Sequence, residues 1–236
     1  MPALDALLAP DRLLDLTQPL GPATPLWPGS RPLEVEVESD HDADGLYLRN
    51  IALPEHAGTH LDAPAHYHPG GATTDRVPLA TLVRPAVRLD VRDLVGDDAR
   101  FALDAATVEQ IEGREGRIPA GAAVLVCTGW DRFLDDPARY GGASSPPSFP
   151  GLARDAARLL VRRRVAGIGI DTLGVDPGHV VEPLVHRITL PAGLWHLEGL
   201  VNLDRVPARG AWLVAGVLPL VDGSGAPARV FAVLPA

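Results

Sequence analysis

Four of the eight histidines fall within thirteen residues, at His56, His60, His66 and His68. The stretch reads Glu55-His56-Ala57-Gly58-Thr59-His60-Leu61-Asp62-Ala63-Pro64-Ala65-His66. Imidazole and carboxylate together suit a borderline divalent cation such as zinc or manganese. In an extended chain alternate side chains share a face, so the even numbers of His56, His60, Asp62 and His66 put them together. Gly58 lies among them and has no side chain to obstruct an ion. A helix would also align His56 with His60, but Gly58 and Pro64 oppose it and Asp62 would leave the stripe. A lone His-x-x-x-His pair would read better as hydrogen-bonded histidines on a polar strand. The added aspartate, the shared parity and the glycine favour metal. His68 is expected outside the site, because Pro69-Gly70-Gly71 turns the chain away.

The run from His56 to His66 resembles the His-x-Gly-Thr-His-x-Asp-x-Pro-x-His signature of the cyclase family, which includes bacterial kynurenine formamidases and isatin hydrolases. The resemblance extends over most of the chain. Leu14 to Leu20 and Pro25-Leu26-Trp27-Pro28-Gly29 resemble the family's opening strand and substrate-side tryptophan loop. Gly169 to Thr172 and Val175-Asp176-Pro177 resemble its central strand and loop, and His186 with Glu198 its distal ligand pair. The resemblance implies one or two ions per subunit, zinc first and manganese as the alternative. His56, His60 and Asp62 would hold one ion, and Asp62 would bridge to a second held by His186 and Glu198. It makes His66 the general acid/base and Trp27 a substrate-binding wall. It also implies a homodimer or homotetramer, and an α/β fold around a mixed, partly closed sheet with flanking helices. Two positions depart from the pattern: Leu173-Gly174 stands where Pro-Ser is common, and Ser30 where kynurenine formamidases often carry an acid.

The chemistry expected of such a site is hydrolysis of an amide or formamide C–N bond in a small substrate, aromatic ones included. A metal lowers the pKa of its water from about 15.7 to about 7 and so supplies hydroxide. A histidine with an ordinary pKa of about 6.5 can take the water proton and return it to nitrogen, the role expected of His66. Proximity to dications should lower that pKa and favour the base role. The same ligands would serve a lactam (isatin-type) or ester hydrolase, or a lyase that stabilises an enolate. A non-catalytic, metal-stabilised binding protein is the reading from another class, and a free histidine beside the ligands argues against it.

Other candidates have plainer readings. Without the resemblance Trp27 reads as a core or interface aromatic. Asp171 and Asp176 are either outer acceptors for the site or loop caps. His179 and His196, near the proposed ligands in sequence, are expected not to reach the pocket. Cys127 reads as packing rather than nucleophile. Arg162-Arg163-Arg164 reads as a solvated helix end that complements the helix dipole.

The elements that must position these groups read as a mixed α/β chain. Leu33, Val35 and Val37 alternate with glutamates as in a half-buried strand. Gly45–Leu53, Ala86–Val91, Ala122–Cys127, Val165–Ile170, Ala211–Val217 and Ala228–Val233 are further strand candidates. Helices are predicted over Asp104–Ile111, with an acidic N-cap, and over Leu152–Arg164, which has one apolar stripe. Arg139–Gly151 carries loop chemistry.

At 236 residues the chain is expected to be a single domain spanning 1–236. All 21 basic residues are arginine, which excludes Schiff-base and phosphate-loop chemistry on a lysine. One cysteine excludes an intrachain disulfide and a cysteine-based zinc cluster. A net charge of −9 argues against a nucleic-acid partner. The start Met1–Asp11 has no signal-peptide pattern, and Ala211–Val221 is too short to span a membrane. The expectation is a cytoplasmic enzyme of a small-molecule substrate, without a membrane or nucleic-acid partner.

Overall fold

The computed structural model describes residues 9–141 and 146–235. Its strands are β1 (Leu13–Asp15), β2 (Glu34–Ser39), β3 (Leu48–Ala52), β4 (His60–Asp62), β5 (Val83–Asp90), β6 (Ala102–Leu103), β7 (Ala123–Cys127), β8 (Gly151–Leu152), β9 (Gly167–Ile170), β10 (Trp195–Glu198), β11 (Trp212–Val217) and β12 (Gly225–Val233). Eight of them form one mixed sheet in the order β1-β12-β11-β5-β7-β9-β10-β4. A further pairing of β4 with β12 closes seven of these strands into a ring. The centre is parallel, β5 with β7, β7 with β9 and β9 with β10, whereas β4, β11 and β12 pair antiparallel.

β7 reads as a continuous apolar run because both of its faces are buried. Ala123, Leu125 and Cys127 join Leu61, Leu197, Leu213 and Val230 in a cluster drawn from strands all around the ring, its interior. Val124 and Val126 face the other way, into a cluster with Val108, Ile111, Leu159 and Leu160 of the two long helices. The same alternation organises β4 and β10. Leu61 and Leu197 turn into the ring, so His60, Asp62, His196 and Glu198 turn outward.

The helix Ala105–Glu115 begins where the acidic cap predicts it: the Asp104 carboxylate accepts from Thr107 N at 2.8 Å. Replacing Asp104 by alanine is expected to cost about 1 kcal/mol, read as a lower urea midpoint with unchanged slope. The helix Arg154–Arg163 packs its apolar stripe on the sheet, but its arginine end is not simply solvated. Arg163 makes two bonds to the Glu112 carboxylate, at 2.9 and 2.7 Å, tying the two helices together.

Two further expectations are corrected. The strand read as half-buried is β2, and among the described residues it pairs only with β3, in a ribbon whose residues are almost all exposed. A two-stranded ribbon has two edges and no second layer, so its alternation reflects two different faces rather than inside and outside. The segment expected as loop over Arg139–Gly151 begins inside a short helix, Pro137–Gly141, and ends on β8; positions 142–145 lie outside the described residues. The chain start up to Leu8 also lies outside them. Among the described residues no helix is long and apolar enough to cross a membrane.

Candidate active site

β4 carries His60 and Asp62, and β10 runs antiparallel beside it with His196 opposite Asp62 and Glu198 opposite His60. Two adjacent cross-strand pairs thus gather four donor side chains on the outer face of the ring. The helix Leu184–Thr189 lies near this face and brings His186 to it.

The remaining two histidines arrive by turns, which corrects the simple parity argument. Gly58 has φ +61°, a left-handed turn that ends the approach of His56 and starts β4. A Cβ there would also stand 2.5 Å from Leu20 Cδ2. Pro64 opens a one-turn 3₁₀ helix, Pro64–His66, that swings His66 back so that its ring lies 4.1 Å from that of His56. His56 packs over Gly225 of β12, where a Cβ would lie 2.5 Å from His56 Cε1.

Asp62 is the hub. Its side chain is fully buried, and its two oxygens serve different histidines. Oδ1 lies 2.6 Å from His56 Nδ1 and 3.3 Å from His60 Nε2. Oδ2 lies 3.2 Å from His186 Nε2 and 3.6 Å from His196 Nδ1. Glu198 divides itself in the same way, Oε2 at 3.5 Å from His60 Nε2 and Oε1 at 3.4 Å from His186 Nε2. Its Oε1 also accepts from Val175 N at 2.8 Å, which fixes the carboxylate.

An outer layer of bonds orients the rings. His60 Nδ1 is 2.9 Å from Gly58 O, so it donates there and aims Nε2 at the carboxylates. His186 Nδ1 is 2.6 Å from Asp176 Oδ2, and Asp176 also accepts the backbone N–H groups of Val185 and His186. Asp176 therefore holds the ring and caps the helix at once. His56 Nε2 is 3.0 Å from Ser224 Oγ, and Ser224 bonds to the Glu55 carboxylate. Asp171 faces elsewhere and accepts from Thr128 and Gly129.

Burial sets the charges. Burial alone would raise the pKa of Asp62, but the imidazoles of His186, His196, His56 and His60 around it outweigh that and hold the carboxyl well below its usual range. Burial disfavours the cation on His60, yet the Asp62 and Glu198 carboxylates raise its pKa to about 10. For His186 burial is likewise overridden, by Asp176, Asp62 and Glu198, and the pKa stands well above normal. His66 goes the other way. Burial lowers it to about 4, against the pull of Asp62 and with repulsion from His56 and His186. Burial also lowers the pKa of His196.

This donor set fits a divalent cation. It offers only imidazole and carboxylate donors. Among the described residues the buried His60 Nε2 has no hydrogen-bond partner, and it faces two carboxylates. Two overlapping groups, Asp62/His186/His196/Glu198 and His56/Asp62/His66, each keep one donor atom per residue within 4.8 Å of the others.

The group opens onto a cavity of about 370 Å³. Trp27, Leu173, Pro177, Val180 and Pro183 form much of its apolar wall, and His56, His60, His66, His186 and Glu198 its polar end. Trp27 stands edge-on to Phe149 at 6.0 Å. Of the residues named from sequence, the structure brings His56, His60, Asp62, His186 and Glu198 into one cluster. It sets His66 at the cluster's cavity side and Trp27 on the cavity wall. His68 and His179 do not line the cavity, and Cys127 is buried in the ring, where burial pushes its thiol up. His196, expected outside, reaches the cluster. Its signal was parity with Glu198, two positions away on a strand too short for its alternation to show. Ser224 and Glu55 were not singled out: Ser224 lies 168 residues from His56 in sequence, and Glu55, the neighbour of His56, has the opposite parity.

The family profile described as "Putative cyclase" matches residues 14–177. An isatin hydrolase from Roseibium aggregatum is 32% identical, over 94% of this chain and 92% of the relative. A kynurenine formamidase from Salinibacter ruber is 30% identical, over 92% of this chain and 95% of the relative. The solved structure of isatin hydrolase A from Ralstonia solanacearum superposes with a TM-score of 0.91 at 35% identity, covering 99% of this chain and 96% of that one. The profile stops short of His186 and Glu198, and it is the fold that carries them to Asp62. With signature, ring and donor cluster in agreement, the chain belongs to the cyclase family.

Proposed function

We propose that the protein hydrolyses a C–N bond in a small, uncharged aromatic lactam or formamide, with the cyclic lactam as the preferred class. The observation that supports this is the cavity's makeup. Its polar end is a His/Asp/Glu cluster, its walls are apolar, and among the described residues no arginine lines it. A carboxylate at the far end of an amino-acid substrate would find no cation there. At two positions that depart from the family's common pattern, Leu173 adds apolar wall and Ser30 a neutral hydroxyl. A flat ring can lie against Trp27 with its carbonyl toward the histidines.

His56, His60 and Asp62 would hold one ion, and Asp62, His186 and Glu198 a second, zinc or manganese. The bound cation supplies Lewis acidity to a carbonyl oxygen and acidity to a water. The chain's own groups do the rest. His66 is unprotonated at neutral pH, so its imidazole accepts a proton from the attacking water. The water oxygen adds to the carbonyl carbon, the C–N bond breaks, and His66 returns the proton to the leaving nitrogen. Asp176 and Gly58 O keep the neighbouring rings from turning during the reaction.

Metal-loaded protein assayed against isatin and an N-formyl amino acid tests this reading. A kcat/KM at least about tenfold higher for the lactam is expected, since a buried charge without a partner is excluded at a cost above 1.4 kcal/mol. A preference for the charged formamide would overturn it.

The apolar face of the β2–β3 ribbon supports a homodimer. Val35 lies opposite Ile51 and Val37 opposite Arg49 on one face, with Val37 and Ile51 each 55% exposed. A second copy of the chain is the partner we propose for that face, in a cytoplasmic enzyme.

A further inference from the structure

His196 is the one buried imidazole of the cluster to which neither the signature nor the proposed reaction gives a task. Its side chain is completely buried. Its Nε2 lies 2.7 Å from Thr189 Oγ1, and Thr189 Oγ1 lies 2.7 Å from Val185 O. A hydroxyl has one hydrogen. Donated to the Val185 carbonyl, it leaves the oxygen to accept, so Nε2 of His196 carries the ring proton and Nδ1 the lone pair. That Nδ1 has no hydrogen-bond partner among the described residues. It faces Asp62 Oδ2 at 3.6 Å, too far for a hydrogen bond and with electron density on both sides. A buried lone pair set against a carboxylate oxygen calls for a cation between them.

We propose that His196 Nδ1 is a fourth protein ligand of the inner ion, beside Asp62, His186 and Glu198. The inference rests on the metal reading of the site and adds to it. Donors about 2.0–2.2 Å from a common ion at tetrahedral or octahedral angles stand roughly 3.0–3.6 Å apart. The neighbouring separations here are 3.2 Å (His186 to Asp62), 3.4 Å (His186 to Glu198) and 3.6 Å (His196 to Asp62). The whole group stays within 4.8 Å. Antiparallel register makes this possible, because His196 is the residue directly across from Asp62. Two nitrogen and two oxygen donors close a four-coordinate shell, the pattern of a site that keeps no place for substrate. The inner ion would then fix Asp62, and the outer ion, nearer His66 and the cavity, would meet the substrate. Thr189 is the positioning residue that selects the ring tautomer.

The test uses chelated full-length protein titrated with Co²⁺, with binding read by chelator competition and coordination by visible d–d absorption. The wild type is expected to bind Co²⁺ with the intense absorption of a four-coordinate centre. Thr189→Val should weaken the inner ion by about 10–100-fold, the usual effect of removing a group that orients a ligand. His196→Phe, which keeps a ring in the space, should weaken it further and take away the four-coordinate band. Unchanged affinity and an unchanged band in Thr189→Val and in folded His196→Phe would overturn the proposal while leaving the metal reading intact. Should His196→Phe fail to fold, Thr189→Val alone decides. Wild-type protein that takes up no cobalt would instead refute the metal reading itself, and this inference with it.

Discussion

Asp62→Asn is expected to abolish turnover, by on the order of 10³-fold or more, and to strip the protein of its metal. Asparagine keeps the shape and removes the charge. Asp62 gives one oxygen to His56 and His60 and the other to His186 and His196, whereas Glu198 reaches only His60 and His186, so no other carboxylate meets all four rings. The loss removes both the activation of water and the stabilisation of developing negative charge. The amide also turns a donor toward imidazoles that need an acceptor. In metal-free protein this breaks a buried ion pair, at a cost of about 3–5 kcal/mol. The pH dependence carries a sign. Asp62 sits below its unfolded pKa, so its contribution is complete above about pH 4 and is lost as the pH falls through the folded value. Metal-free wild type should therefore lose stability on acidification below about pH 4, and the variant should lose less. Metal analysis, single-turnover assay and urea titration at two pH values measure the three effects. Full metal content with retained turnover would remove Asp62 from the centre of the site.

His66→Ala is expected to separate chemistry from metal binding. The side chain lies at the cavity end of the cluster and is only partly buried, so the fold and the metal content should stay as they are. Turnover should fall by about 10²–10⁴-fold, the usual worth of a positioned acid/base. With its pKa near 4, His66 is a base across the neutral range. The wild-type rate should therefore fall on the acid side as pH approaches that value, and the variant's residual rate should lack that limb. A variant with full turnover and the same acid limb would assign the proton transfer to another group.

The sequence announced the donors better than the route by which they meet. His60 and Asp62 share a face because they sit two apart on a strand, as their parity implied. His56 and His66 share it for other reasons, a left-handed glycine turn before the strand and a proline-opened 3₁₀ turn after it. Even spacing was thus right in result and wrong in cause at two of four positions. His186 stands on a six-residue helix and Glu198 on a four-residue strand. Elements that short show no period, and only the signature's likeness to a family pointed to this pair. The longer strands of the ring were legible as apolar runs, one long helix by its acidic cap and the other by its apolar stripe. Closure of the ring was not, since it depends on β4 pairing with both β10 and β12, contacts that span more than 130 residues of chain.

The β2–β3 ribbon carries one more consequence. Its second face bears Glu34 and Glu36, with Glu38 held by Asn50 at 2.9 Å. Open strand edges invite stacking of like upon like into growing assemblies, and proteins resist it with charge. Two such ribbons laid edge to edge in register would set glutamate rows against each other. The apolar face suffers no such repulsion when it settles on a globular body. The ribbon is thus free to be covered once and discouraged from polymerising.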